Sequence, residues 1–142
     1  MDLDDIKKRF VEEVKLRAYD DKYVDRSEER EILQIALQQG ISVDSARSAL
    51  AQVCEKEGYI LEATVIREIG DMLEIQAGND GKIDEKEYKD AVALCQKKTA
   101  GKRSDVQCKR MVLEIIDEKA YATKSGMFSN WYKRAKKEVG IA

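Results

Sequence analysis

The stretch AGNDGKIDEKEY, residues 77–88, has the spacing of the second half of a calcium-binding loop and also of a helix start. A related stretch, AYDDKYVDRSEE, lies 59 residues earlier, at residues 18–29. At this constant offset the apolar residues of the flanking helices also coincide, such as Val14 with Leu73 and Leu16 with Ile75. The sequence therefore predicts two copies of a helix–turn–helix unit.

The composition favours an all-α protein. The 142 residues include no proline, and 43% of them are hydrophobic, which suits helices joined by short turns and a single core. We expect one compact domain over residues 1–142, built as a bundle of about seven helices. Because the chain has no histidine, Ser-His and Cys-His catalytic pairs are excluded, and so are zinc sites that use histidine. The three cysteines, Cys54, Cys95 and Cys108, fall on apolar helix faces and are predicted to be free and buried.

Apolar periodicity and capping residues predict the helix limits. The first helix covers residues 2–18, with Leu3, Ile6, Phe10 and Val14 on its inner face. The next two end at Gly40 and Gly58, and Ser42 caps the third. The fourth covers residues 59–76 and includes Ile75, and the fifth follows the turn of residues 77–82. Ser104 and Gln107 form a capping box at the start of the sixth, and the last begins near Gly126 or Ser129.

Charge is distributed unevenly along the chain. Residues 1–96 carry 14 basic and 23 acidic side chains, whereas residues 97–142 carry 12 basic and 5 acidic ones. We expect the basic C-terminal segment 97–142 to pack on the acidic part of the same domain. Its last helix has one apolar side, which predicts docking on the core with the cations in solvent. The same pattern also fits contact with a nucleic acid or an anionic membrane surface. The apolar side of this last helix is formed by Phe128, Trp131, Tyr132, Ala135 and Val139. The basic side is formed by Lys133, Arg134, Lys136 and Lys137.

The second turn fits the calcium-loop pattern D-x-[DN]-x-[DN]-G-x₅-E in its second half. With Gly81 in the glycine place, Asp80, Asp84 and Glu87 supply hard oxygens at positions 5, 9 and 12. Positions 1 and 3 are Gln76 and Gly78, which lack carboxylates. In the first turn Arg17 would repel a cation, and Lys22 takes the glycine place, where it would need a positive φ. We therefore expect weak divalent-cation binding, with Ca²⁺ as the ion.

Capping explains some of the acidic residues without a metal. Asp25 with Glu28, and Asp84 with Glu87, both have capping-box spacing. Capping does not explain the residues that precede the caps, which are Asp20, Asp21, Asn79 and Asp80. If the two turns lie face to face, their carboxylates repel one another and need a cation or basic residues nearby. Two hypotheses follow: capping alone, or a metal site shared by the turns. The candidate metal ligands are Asp20, Asp21, Asp25, Glu28, Asn79, Asp80, Asp84 and Glu87.

The two segments AYDDKYVDRSEEREILQIALQQGI and AGNDGKIDEKEYKDAV together resemble the TerB-like (tellurite-resistance B) superfamily. The resemblance covers about residues 10–97. It implies a compact all-helical fold, divalent cations bound by the eight residues named above, and a non-enzymatic role in stress or membrane-associated assemblies. Two features depart from the family pattern: Lys22 in place of a glycine, and the basic end with Trp131 and Tyr132.

We expect a non-enzymatic, cytoplasmic, TerB-like protein that binds a divalent cation weakly through its acidic turns and acts on a protein partner in a stress response. The N-terminus lacks the apolar core of a signal peptide, and no apolar run is long enough for a membrane span. The alternative is a metal-free adaptor or a nucleic-acid-contacting module that uses the basic aromatic C-terminal helix.

Overall fold

The computed structural model describes residues 2–123 and 130–141. Over these residues the fold is all-α, as predicted, with seven helices and four strands of two residues each. Contacts divide the chain into two compact units, unit 1 (residues 1–64) and unit 2 (residues 65–142), with the boundary in the first turn of a helix. A single domain over residues 1–142 stays a prediction.

Both units have the same order of elements, helix–strand–helix–helix–strand. The first set is α1 (Leu3–Arg17), β1 (Tyr23–Val24), α2 (Arg26–Gln38), α3 (Val43–Glu57) and β2 (Ile60–Leu61). The second set is α4 (Glu62–Ala77), β3 (Lys82–Ile83), α5 (Glu85–Lys98), α6 (Asp105–Glu118) and β4 (Ala122–Thr123), followed by α7 (Trp131–Glu138). The repeat therefore has five elements and is longer than the predicted helix–turn–helix unit.

The two strands of each unit pair in parallel. In unit 1 Tyr23 lies opposite Ile60, and the Ile60 amide donates to the Lys22 carbonyl at 2.9 Å. In unit 2 Lys82 lies opposite Ala122. Because Ile60 and Leu61 form β2, α4 begins at Glu62 and not at Tyr59 as predicted.

Local capping sets most helix limits. Asp25, Asp84 and Ser104 each form the predicted capping box, and Ser42 caps α3 as predicted. The C-terminal glycines predicted for α2 and α3 have left-handed backbones, with φ of 80° at Gly40 and 78° at Gly58. For α7 the cap is Asn130, whereas the predicted starts at Gly126 and Ser129 lie outside the described residues.

Left-handed residues show how closely the two units correspond. Among the described residues, three other than glycine have positive φ: Lys22 (53°), Ala100 (51°) and Ala120 (55°). The corresponding positions of the other unit are Gly81, Gly40 and Gly58, which have φ of 65°, 80° and 78°. The hydrogen bonds around them are also repeated: Gly58 and Ala120 both donate to the carbonyl three residues earlier, at 3.4 and 3.1 Å. The two units thus share backbone geometry even where their residue types differ.

The buried side chains follow the predicted faces with a few exceptions. In unit 1 a continuous cluster includes Ile6, Phe10 and Val14 of α1, as predicted, whereas Leu3 is 38% exposed. Ile75 was expected among the apolar residues of α4 but is 81% exposed. The three cysteines are buried and free, as predicted.

Candidate functional site

The acidic turn of unit 2 connects α4 to α5 through two left-handed glycines, Gly78 and Gly81. Asp80 Oδ1 accepts from the Lys82 amide at 3.0 Å, which closes the turn. Asp84 Oδ1 accepts from the Glu87 amide at 2.8 Å, and Glu87 Oε1 accepts from the Asp84 amide at 3.0 Å. Each of these three carboxylates therefore bonds one backbone amide of its own turn.

The acidic turn of unit 1 repeats these bonds 59 residues earlier. Asp21 Oδ1 accepts from the Tyr23 amide at 3.1 Å, and Asp25 and Glu28 form the capping box at 2.8 and 3.1 Å. Lys22 occupies the glycine place with a positive φ, as the alignment requires. Six of the eight predicted ligands thus have a structural role. Four form the two predicted capping boxes, and Asp21 and Asp80, which capping did not explain, close the turns. The remaining two, Asp20 and Asn79, are exposed.

Burial and neighbouring charges act in opposite directions on the Glu28 carboxyl in the acidic turn of unit 1. Burial is the largest effect on Glu28 and raises the pKa of its carboxyl, and the charges of Asp25 and Asp21 add to this. The Arg17 guanidinium acts in the opposite direction while it pairs with Glu13 at 3.1 Å and also with Glu31. A positive charge therefore already acts on this turn.

Within residues 2–123 and 130–141, no three or more Asp, Glu or Cys side chains are grouped so that they could hold a metal ion. The arrangement of the carboxylates is consistent with this, because capping and turn closure use one oxygen of each. That the two turns share one neighbourhood stays a prediction, as does the binding of a cation.

Large apolar side chains are exposed beside both turns. Leu16 is 75% exposed in the last turn of α1, and Ile75, its counterpart at the offset of 59, is 81% exposed in the last turn of α4. In unit 1 Tyr19 adds a third such side chain at 79% exposure. The sequence alignment paired Leu16 with Ile75, but periodicity did not show that both lie on the solvent side.

The C-terminal helix is docked within unit 2. Trp131 and Ala135 of α7 are buried, and so is Val139 directly after the helix, as the docking hypothesis predicts. The Trp131 ring stacks on Tyr88 with ring centroids 5.2 Å apart, so it is not free to stack on a nucleic-acid base. Contact with nucleic acid through exposed cations of this helix, such as Lys133 and Lys137, stays a prediction. The predicted inward residue Phe128 lies outside the described part of the chain.

Basic side chains of segment 97–142 pair with acids inside unit 2. Lys109 Nζ lies 3.0 Å from Asp105 and 2.7 Å from Glu138, and Lys136 Nζ lies 3.1 Å from Asp117 and 5.1 Å from the centre of the Tyr132 ring. Part of the basic excess at the C-terminal end is therefore paired locally.

Sequence reasoning missed a group of buried polar residues in unit 1. The Tyr23 hydroxyl donates to the Glu62 carboxyl, and both side chains are buried. Glu29 is 8% exposed; burial raises the pKa of its carboxyl, against the opposing charges of arginines that include Arg47. Glu29 could have been found, because it precedes Ile32 by three residues on the apolar face of α2.

No protein-family model, curated protein or solved structure matches the chain. No helix within the described ranges is long and apolar enough to cross a membrane.

Proposed function

We propose that the chain is a non-enzymatic, TerB-like interaction protein that contacts a protein partner beside the acidic turn of each unit. The observation that supports this proposal is the exposure of Leu16 and Ile75 at the same position of the repeat. A single exposed leucine is ordinary on a protein surface. The same exposure in both copies, next to an acidic turn each time, is what a repeated contact surface requires.

The proposed partner surface combines apolar and basic side chains. Full burial of a leucine or isoleucine side chain contributes about 1.5–3 kcal/mol, so two such residues would contribute substantially to a complex. The exposed carboxylates of Asp20 and Asp21 in unit 1, and of Asp80 in unit 2, would attract basic side chains of the partner at the edge of the contact surface. Such charges affect the rate of association more than the affinity.

The experiment compares Leu16→Ser with Ile75→Ser, alone and together, against a matched control. Glu12→Ser with Asp71→Ser serves as this control, because these residues are exposed on the same two helices and also lie 59 residues apart. The proposal expects that a partner crosslinked to the wild-type chain in its native cells is lost with the double serine variant and kept with the control. Equal recovery of the partner with both variants contradicts the proposal.

A second candidate function is weak divalent-cation binding at the turn of unit 2. The observation in its favour is Gln76 Oε1, a buried oxygen with no hydrogen-bond partner among the described residues. Gln76 occupies position 1 of the calcium-loop alignment, and amide oxygens are ordinary Ca²⁺ ligands. Such a loop would bind Ca²⁺ with a Kd of about 10⁻⁴–10⁻³ M.

A Ca²⁺ titration tests this candidate through the amide shifts of Gly81 and Lys22. We expect a saturable shift at Gly81, its loss in Gln76→Leu, and no comparable response at Lys22 in the other turn. A flat titration at Gly81 shows that capping and turn closure alone account for these residues. A response that is unchanged in Gln76→Leu shows that Gln76 is not a ligand and removes the observation on which this candidate rests.

A further inference from the structure

A groove with a cavity volume of about 520 Å³ lies along α7 in unit 2. Among the described residues, its lining comprises Tyr132, Lys133, Lys136 and Lys137 of the helix and Ile141 shortly after it. Small-molecule sites have volumes of about 300–1,000 Å³. The groove is therefore large enough to hold a small ligand.

The charged side chains of this lining are all lysines. Lys133 and Lys137 are exposed, and within the described part of the chain neither ammonium forms an ion pair with a carboxylate. Other lysines of unit 2, such as Lys98 and Lys109, are paired with acids at 3.2 and 3.0 Å. Like charges four residues apart on a helix repel each other. An anion bound between the two ammonium groups would offset this repulsion.

The rest of the lining is apolar in character. Lys136 Nζ lies 3.1 Å from Asp117 and 5.1 Å from the centre of the Tyr132 ring, so its charge already has a partner. The alkyl chain of Lys136, the Tyr132 ring and the Ile141 side chain supply apolar surface to the groove. Tyr132 and Ile141 are half-buried, so part of each side chain stays accessible. The groove thus combines apolar surface with two exposed cations.

We propose that this groove binds a small anionic amphiphile, a molecule with a carboxylate or phosphate head and an apolar body. The head lies between the ammonium groups of Lys133 and Lys137, and the body packs against Tyr132 and Ile141. The described lining has one aromatic ring, whereas a single-stranded nucleic acid stacks successive bases on several, so the groove suits one small ligand better. This site does not depend on the function proposed for the acidic turns.

The test uses octanoate as the probe, titrated at concentrations at which it stays monomeric into the isotopically labelled full chain. We expect saturable shifts of the Tyr132 and Ile141 amides. The neutral analogue 1-octanol and the short anion acetate should both bind more weakly than octanoate, because each lacks one of the two recognised parts.

The double variant Lys133→Gln with Lys137→Gln removes both charges and keeps the alkyl chains. It should weaken octanoate binding by roughly 5-fold, since each exposed ion pair contributes little on its own, and leave 1-octanol binding unchanged. The matched control is Lys86→Gln with Lys89→Gln, which removes two exposed charges from α5 of the same unit and should bind octanoate like the wild type.

Four results would overturn the proposal. They are the absence of a saturable response to octanoate, equal affinity for octanoate in the wild type and the α7 double variant, equal weakening in the α7 and α5 double variants, and binding of acetate or 1-octanol as tight as that of octanoate. If anionic lipid vesicles or a single-stranded oligonucleotide shift the Tyr132 and Ile141 amides and octanoate does not, these residues belong to a surface for a membrane or a polyanion instead.

Discussion

Ala100 follows the C-cap of α5 with a φ of 51°, at the position where α2 has Gly40 with a φ of 80°. Both residues donate to the carbonyl three residues earlier at 3.1 Å, so their backbone roles are the same. Ala100 is exposed, and its replacement by glycine removes no buried contact. The substitution Ala100→Gly therefore tests the strain of a left-handed residue almost in isolation.

The expected gain is the difference between two opposing terms. A left-handed backbone costs a residue with a Cβ about 1–2 kcal/mol relative to glycine. The greater freedom of glycine in the unfolded chain removes about 0.4–1 kcal/mol of that gain. We expect Ala100→Gly to raise the free energy of unfolding by about 0.8 kcal/mol, or about 3 °C in melting temperature. The reverse change Gly40→Ala should lower it by a similar amount, since an added Cβ meets no atom within 4 Å.

The matched control is Ala93→Gly, the same chemical change at an exposed position inside the same helix. Glycine in a helix interior lowers the free energy of unfolding by about 1 kcal/mol relative to alanine. Ala93→Gly should therefore destabilise the protein while Ala100→Gly stabilises it, and the free energies of unfolding of the two variants should differ by nearly 2 kcal/mol. Urea unfolding followed by circular dichroism measures both. A loss of stability in Ala100→Gly comparable to that in Ala93→Gly would refute the assigned backbone geometry.

Three further predictions concern buried groups. Tyr23→Phe should lower the free energy of unfolding by about 2 kcal/mol in urea titrations, because the buried Glu62 carboxyl loses a donor; no change would contradict the bond. Because burial raises the pKa of Glu29 above its ordinary 4.5, its ionised form is disfavoured in the folded state, and the protein should gain stability as the pH falls from 7 towards that value. Glu29→Gln should stabilise the protein at pH 7 and reduce this dependence, and an unchanged difference between urea midpoints at pH 5 and pH 7 would contradict it. Trp131→Ala should lower the free energy of unfolding by about 3 kcal/mol, because it removes the buried ring that stacks on Tyr88. Hydrogen exchange of the α7 amides should become faster, and exchange at the wild-type rate would show that Trp131 does not anchor the helix.

The helix limits were predictable from sequence because capping is local. Ser104 and Gln107, like Asp84 and Glu87, interact across three residues and need no distant contact. The full extent of the repeat was not visible for an equally simple reason. The corresponding caps Asp25 and Asp84 differ by 59 positions, but Ser42 and Ser104 differ by 62, because α5 and the loop after it are longer. An alignment at the constant offset of 59 therefore falls out of register after α2 and α5 and does not show that α3 and α6 correspond.

The pairing of the strands and the docking of α7 depend on contacts between distant residues. A two-residue strand has no periodicity, and its partner, as in the pair Tyr23 and Ile60, lies far away in sequence. Tyr88 and Trp131 stack across an even longer separation. Helical spacing placed Trp131 on the apolar side of the last helix, but it could not show that this ring stacks on Tyr88 or that the Tyr88 hydroxyl is buried without a partner among the described residues. That information is in the fold and not in any local pattern.

Comparison of the two units distinguishes acidic residues that cap a helix in both units from one position at which the two units have different buried side chains. The acids Asp25 and Glu28, and their counterparts Asp84 and Glu87, cap helices in both units, so their repetition follows from the fold alone. Tyr88, in contrast, corresponds at the same offset to the buried Glu29, so a carboxyl with a raised pKa in one unit stands where the other has an unpaired hydroxyl. Neither group is needed to form a helix, and each is unfavourable to bury. The common scaffold therefore tolerates two chemically different buried groups at one structural position, so substitutions there should change the stability of each unit without changing the limits of its helices.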